Sequence, residues 1–125
     1  MVRQGERVYI RKVKGGYGGY DWSFAKGRVE PGLSLEQNAL KELKEEMGIE
    51  ARIVGVLGDY PGDTGVTRFF IGEFAGGDIT AFGPETEKVQ LATFSEARAL
   101  LNRDRDKQVL DDLYAARSDR PDSVS

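Results

Sequence analysis

Glu42, Glu45 and Glu46 lie three and four residues apart in the stretch KGRVEPGLSLEQNALKELKEEMGIE, which runs from Lys26 to Glu50. On a helix that spacing brings them to one face. Like charges held so close repel, so either water screens them or a cation sits among them. The first alternative is a solvated face balanced by Lys41 and Lys44. The second is an oxygen cage for one or more divalent ions. Two features favour the cage. On a helical wheel Lys41 and Lys44 fall on the far side from Glu46, and the helix is entered from a glycine loop whose backbone can approach a ligand closely. Glu46 lies nearest the apolar stripe and is expected to be the most buried of the three.

The chain has no histidine and no cysteine among its 125 residues. That excludes a serine–histidine triad, thiolate chemistry and histidine-ligated zinc. Proton transfer is left to carboxylates, lysine, tyrosine or metal-bound water. A metal must be held by oxygen, which favours magnesium, manganese or calcium. The formal charge of −3 argues against an electrostatic nucleic-acid binder. Without a membrane-length apolar run, a secretory pattern or a disulfide framework, the expectation is a cytoplasmic protein that makes no membrane contact.

Several elements must position the glutamates. RVYIRKV (Arg7–Val13) alternates like a strand, and WSFA (Trp22–Ala25) is a short strand candidate. Ser34 with Gln37 forms a capping-box pattern, and Gly48 is a C-terminal stop, so a helix is predicted over Leu35–Met47. Its apolar stripe is Leu35, Ala39, Leu40, Leu43 and Met47. Strands over Ile49–Tyr60 and Val66–Gly76 flank the turn PGDTG. A loop over Gly76–Thr86 leads to a last strand, Lys88–Phe94, and then to the helical segments SEARALL and DKQVLDDLYAA. This is one α/β domain with a mixed sheet, spanning 1–116, and 117–125 is expected to be a disordered tail.

The acidic stretch resembles the Nudix hydrolase signature: Gly, five residues, Glu, seven residues, then Arg-Glu-aliphatic-x-Glu-Glu-x-Gly-aliphatic. Gly27 takes the first position, and Lys41 to Ile49 take the last nine with the spacing kept. DWSFAKG resembles the family's Trp-x-Phe-Pro-Lys-Gly lead-in, and ETEKVQLATFSEARALL resembles its closing strand and helix. Three positions depart: the first signature Glu is Leu33, the Arg is Lys41 and the lead-in Pro is Ala25. In the family the Arg orients neighbouring glutamates, and lysine lacks its planar fork. Glu30 or Glu36 is a candidate to compensate for the lost first Glu.

The resemblance implies an α/β/α sandwich with a mixed central sheet and a pyrophosphohydrolase dependent on Mg2+ or Mn2+. Glu42, Glu45, Glu46 and the Gly27 carbonyl would hold the metal. A further glutamate on the loop before the closing strand would act with them, with Glu85 the first choice and Glu87 the second. The implied substrate is a small nucleoside diphosphate derivative rather than duplex nucleic acid, and the lead-in looks more like the diadenosine-polyphosphate branch than the sugar-nucleotide branch. Lys26 is a candidate phosphate contact. Tyr17, Tyr20 and Trp22 are candidates to stack on a base, against the alternative of a core Trp22 and loop-anchoring tyrosines. Arg68 and Phe70 share a strand face and are candidates to line the pocket. Two other readings remain: a catalytically weak nucleotide-binding module, suggested by Leu33 and Lys41, and an interaction protein with an acidic surface helix. Family members carry a full strand before RVYIRKV, of which Met1–Arg3 is the remnant. Either the start is truncated or a partner covers that place in the sheet, which suggests a homodimer.

Overall fold

Helix α1 (Leu35–Met47) starts and stops where its capping residues dictate. The Ser34 hydroxyl accepts the Gln37 amide at 3.1 Å, and the Gln37 side chain accepts the Ser34 amide at 2.9 Å. These bonds satisfy two otherwise orphaned helix donors. At the other end Gly48 turns left-handed, with φ 70°, and donates its amide to the Lys44 carbonyl. The computed structural model describes residues 1–15, 22–25, 31–62 and 65–118. The remaining elements are β1 (Val2–Gln4), β2 (Arg7–Val13), β3 (Trp22–Ser23), β4 (Ile49–Gly62), β5 (Gly65–Gly77), β6 (Thr86–Ala92), α2 (Phe94–Leu100) and α3 (Asp104–Ser118).

The strands form one mixed sheet. β1 runs antiparallel to β2 and parallel to β5, while β4 and β5 form a long antiparallel hairpin. Val8 of β2 pairs with Arg3 on β1 and with Ala92 on β6, and Arg11 pairs with Ser23 on β3 and with Val89 on β6. A strand has two edges, so β6 takes one edge of β2 and β1 and β3 share the other. β1 is therefore interior, lying between β2 and β5.

Both faces of the sheet are covered. Tyr9 of β2 packs in a cluster with Leu43 and Met47 of α1, together with Val2, Ile49 and Val89. Its neighbours Val8 and Ile10 point the other way, into a cluster with Phe24, Phe69, Ala97 and Leu101, and with Val109, Leu110 and Leu113 of α3. Burial on both sides explains why Val8, Tyr9 and Ile10 are apolar in succession within an otherwise mixed strand. The result is the α/β/α sandwich.

Several boundaries differ from the sequence reading. β6 begins two residues early, because Thr86 is buried and hydrogen-bonded to α1. α3 starts at Asp104 and continues to Ser118. β4 and β5 extend to Gly62 and Gly65, and positions 63–64 of their turn lie outside the described residues. On α1 the buried residues are Asn38, Leu43 and Met47, whereas Leu35 and Leu40 of the expected stripe are exposed. No helix among the described residues is long and apolar enough to cross a membrane.

Candidate active site

The last turn of α1 is tied to the loop ahead of β6. The Glu45 carbonyl accepts the Gly83 amide at 2.7 Å, the Glu46 carbonyl accepts the Thr86 hydroxyl at 2.7 Å, and the Gly48 carbonyl accepts the Asp78 amide at 2.9 Å. Helix-end carbonyls that would otherwise be orphaned thus find partners in the loop. Through this tie the loop carrying Glu85 sits beside the glutamate-bearing helix.

Arg11 of β2 joins the two. It shares the α1-facing side of the strand with Tyr9, two residues before it. Its Nη1 forms an ion pair with Glu46 Oε1 at 3.3 Å, and both side chains are largely buried, at 7% and 12% exposure. Its Nε donates to the Thr86 hydroxyl at 3.0 Å, and its Nη2 lies 3.5 Å from the Glu85 carbonyl. Glu45 is the more exposed carboxylate, at 54%, and pairs with Lys41 at 3.1 Å. Lys44 pairs with Glu50.

Glu42, one turn before Glu46, lies on the wall of a cavity of about 270 Å³. This recess lies between α1 and the β4–β5 hairpin, with Leu43, Ile53 and Phe70 among its apolar walls. Leu35, Leu40 and Val66 also line it, which explains their exposure: they face an open recess rather than a packed core. Arg68 and Phe70 both line it, in line with their shared strand face. Phe70 is buried. Arg68 grips Asp59 through two hydrogen bonds, at 2.8 and 3.2 Å. The Arg68 hydrogen bond holds the Asp59 carboxyl below its usual range and pushes the guanidinium up.

Trp22 is placed elsewhere. It packs, partly buried, against the α3-side cluster, and its amide donates to Asn102 Oδ1 at 2.9 Å. It does not line the cavity. Glu85 and Glu87 have exposed side chains, and Glu87 pairs with Lys12 at 3.0 Å. Tyr17, Tyr20, Lys26, Gly27 and Glu30 lie outside the described residues. Among the described residues, no three acidic side chains converge closely enough to hold a metal ion. Glu45 turns to Lys41 and Glu46 to Arg11 instead. The donor set itself suits a hard cation, because it offers only carboxylate oxygens on successive turns of one helix.

Sequence reasoning missed Arg11, Thr86 and Asn38. Arg11 shares the Tyr9 face of β2, but nothing in the strand's own pattern marks that face as covered by α1. Asn38 is buried and lines the cavity from α1. A lone polar residue beside the apolar stripe gave no sign of that.

The NUDIX domain family model matches residues 1–113. A putative 8-oxo-dGTP diphosphatase of Bacillus subtilis (strain 168) is 30% identical over 92 residues, 72% of this chain and 62% of that protein. The RNA pyrophosphohydrolase of Pectobacterium carotovorum subsp. carotovorum (strain PC1) is 40% identical over 55 residues, 44% of this chain and 29% of that protein. The matched stretches thus span less than two thirds of either relative. Among solved structures, a NUDIX hydrolase from Nitrosomonas europaea superposes with a TM-score of 0.80 at 18% identity, covering 92% of this chain and 84% of that one. A C. elegans Ap4A hydrolase binary complex gives 0.75 at 15% identity, covering 94% of each. At such identities the likeness speaks to the fold.

Proposed function

The chain belongs to the Nudix family, and from that premise we propose that it is a Mg2+- or Mn2+-dependent pyrophosphohydrolase cleaving a diphosphate linkage in a nucleoside diphosphate derivative. The observation that carries the reading is the placement of α1. It puts Glu42 on the wall of an apolar recess and Glu46 one turn further on, against the loop of Glu85. A flat apolar group and a charged diphosphate would lie side by side in such a site.

Glu42, Glu45 and Glu46 would hold the divalent ion, with the Gly27 carbonyl a further ligand. When bound, such an ion supplies an acidified water and positive charge for the leaving phosphate. The chain's own residues do the rest. A glutamate takes the proton of the attacking water, one of the options left open by a chain without histidine, and Glu85 is the first choice. Phe70 offers a face to a nucleobase, and Arg68 a planar donor at the cavity. Lys26 is a phosphate contact. The names of the relatives and neighbours, 8-oxo-dGTP diphosphatase, RNA pyrophosphohydrolase and Ap4A hydrolase among them, point to phosphoanhydrides of nucleotide compounds. The lead-in places a diadenosine polyphosphate among the candidates.

The test is product formation from diadenosine tetraphosphate, ADP-ribose, nucleoside triphosphates and a triphosphate-ended RNA, each with Mg2+, with Mn2+ and with chelator. Metal-dependent cleavage of one of them supports the reading. A second reading, a catalytically weak nucleotide-binding module, draws on Lys41 and on the engagement of Glu45 and Glu46 with basic side chains. Folded, metal-binding protein that cleaves none of the panel but binds a nucleotide would favour it.

A further inference from the structure

We propose that Arg11 is the positioning residue for Glu46, supplying from strand β2 the orienting arginine that the signature helix lacks at Lys41. The inference rests on the proposed function. Lys41 pairs with Glu45 at 3.1 Å on the exposed side of the helix and lacks the planar fork of an arginine. Arg11 reaches the Glu46 carboxylate from across the sheet, and the pair is largely buried.

The guanidinium is itself held. Nε donates to the Thr86 hydroxyl, and that hydroxyl donates to the Glu46 backbone carbonyl. Arg11, Thr86 and Glu46 therefore close a ring in which side chain and main chain of the same glutamate are both tethered. Nη2 approaches the Glu85 carbonyl, so the loop glutamate proposed as base hangs on the same fork. A planar fork does this where a lysine cannot, since one ammonium cannot span Thr86 and Glu46 in fixed geometry. Fixing the rotamer of a metal-binding carboxylate is what such an outer partner contributes.

The test uses Arg11→Gln, Arg11→Lys and Thr86→Val in the full chain, with Mn2+ alone as the binding probe. Arg11→Gln is expected to weaken Mn2+ binding by about 10–100-fold and to lower kcat comparably, with KM near wild type. Arg11→Lys, which keeps the charge, is expected to recover only part of the loss. Mn2+ affinity within about twofold of wild type in a cooperatively folding Arg11→Gln protein overturns the inference. Should Arg11→Gln fail to fold, Thr86→Val decides: it frees one arm of the fork, and Mn2+ affinity and kcat both unchanged overturn the inference equally. Wild-type protein that binds no Mn2+ and cleaves nothing overturns the proposed function and this inference together. Binding and cleavage by wild type, unchanged in the variants, overturn this inference alone.

Discussion

A Cβ built on Gly48 would lie 2.0 Å from the carbonyl oxygen of Asp78. Gly48 ends α1, and Asp78 opens the loop that carries Glu85. The two backbones touch because the Asp78 amide donates to the Gly48 carbonyl at 2.9 Å. Only a residue without a side chain permits that approach.

Gly48→Ala should therefore be costly twice over. The left-handed backbone costs a β-carbon about 1–2 kcal/mol, and overpacking against a main-chain carbonyl adds about 1–3 kcal/mol. Gly5, with φ 63° and no heavy atom within 4 Å of its would-be Cβ, is the control and should show the backbone cost alone. Urea unfolding of the two variants gives the comparison, and equal losses would contradict the contact.

Gly83→Ala tests the second tie. Its Cβ would meet the Glu45 carbonyl oxygen at 2.8 Å, in place of a snug amide hydrogen bond. The loop must shift, and Glu85 with it. A fall in kcat larger than the fall in thermal stability accounts for is expected. Full activity at a lowered Tm would show that the loop's placement is irrelevant to turnover.

The α-amino group of Met1 donates to the Phe70 carbonyl at 2.8 Å inside the sheet, and burial pulls its pKa from 8.0 to about 5. Between those values the unfolded chain holds a proton that the folded chain lacks, so stability rises with pH across that window. The gain from pH 5 to pH 8 is bounded at about 4 kcal/mol, at 1.36 kcal/mol per unit. With no histidine in the chain, no ordinary side chain titrates there to mask it. Urea midpoints at pH 5, 6.5 and 8 measure the slope in protein that starts at Met1. Protein with residues placed ahead of Met1 donates an uncharged amide instead and should lose the slope.

Arg68→Ala should raise KM and leave kcat nearly unchanged, the signature of lost ground-state binding. Its pair with Asp59 is exposed, so thermal stability is expected to stay close to wild type. KM and kcat both unchanged would remove Arg68 from the substrate side of the cavity.

Much of α1 was legible in the sequence because local rules govern it. Ser34, Gln37 and Gly48 each mark a helix end through a bond to a near neighbour, and the structure has those bonds. Non-local features were less readable. β1 is three residues long, too short for any periodicity, and its place is set by β2 and β5. The start of β6 is set by a hydroxyl reaching α1, which no pattern in β6 announces. Arg11 reads as an ordinary polar position on an alternating strand until the second face of the sheet is seen to be covered. Leu35 and Leu40 obey helical spacing yet stay exposed, because a recess rather than a wall faces them.

The most direct test of the central claim is the turnover of Glu46→Gln beside wild type, with saturating Mg2+ and the best substrate of the panel. The amide keeps the shape and an oxygen for Arg11 but removes the carboxylate charge. A kcat lower by about two orders of magnitude or more is expected, in a protein that still folds cooperatively. Retention of wild-type kcat would contradict the claim, because α1 would then carry no catalytic carboxylate at Glu46.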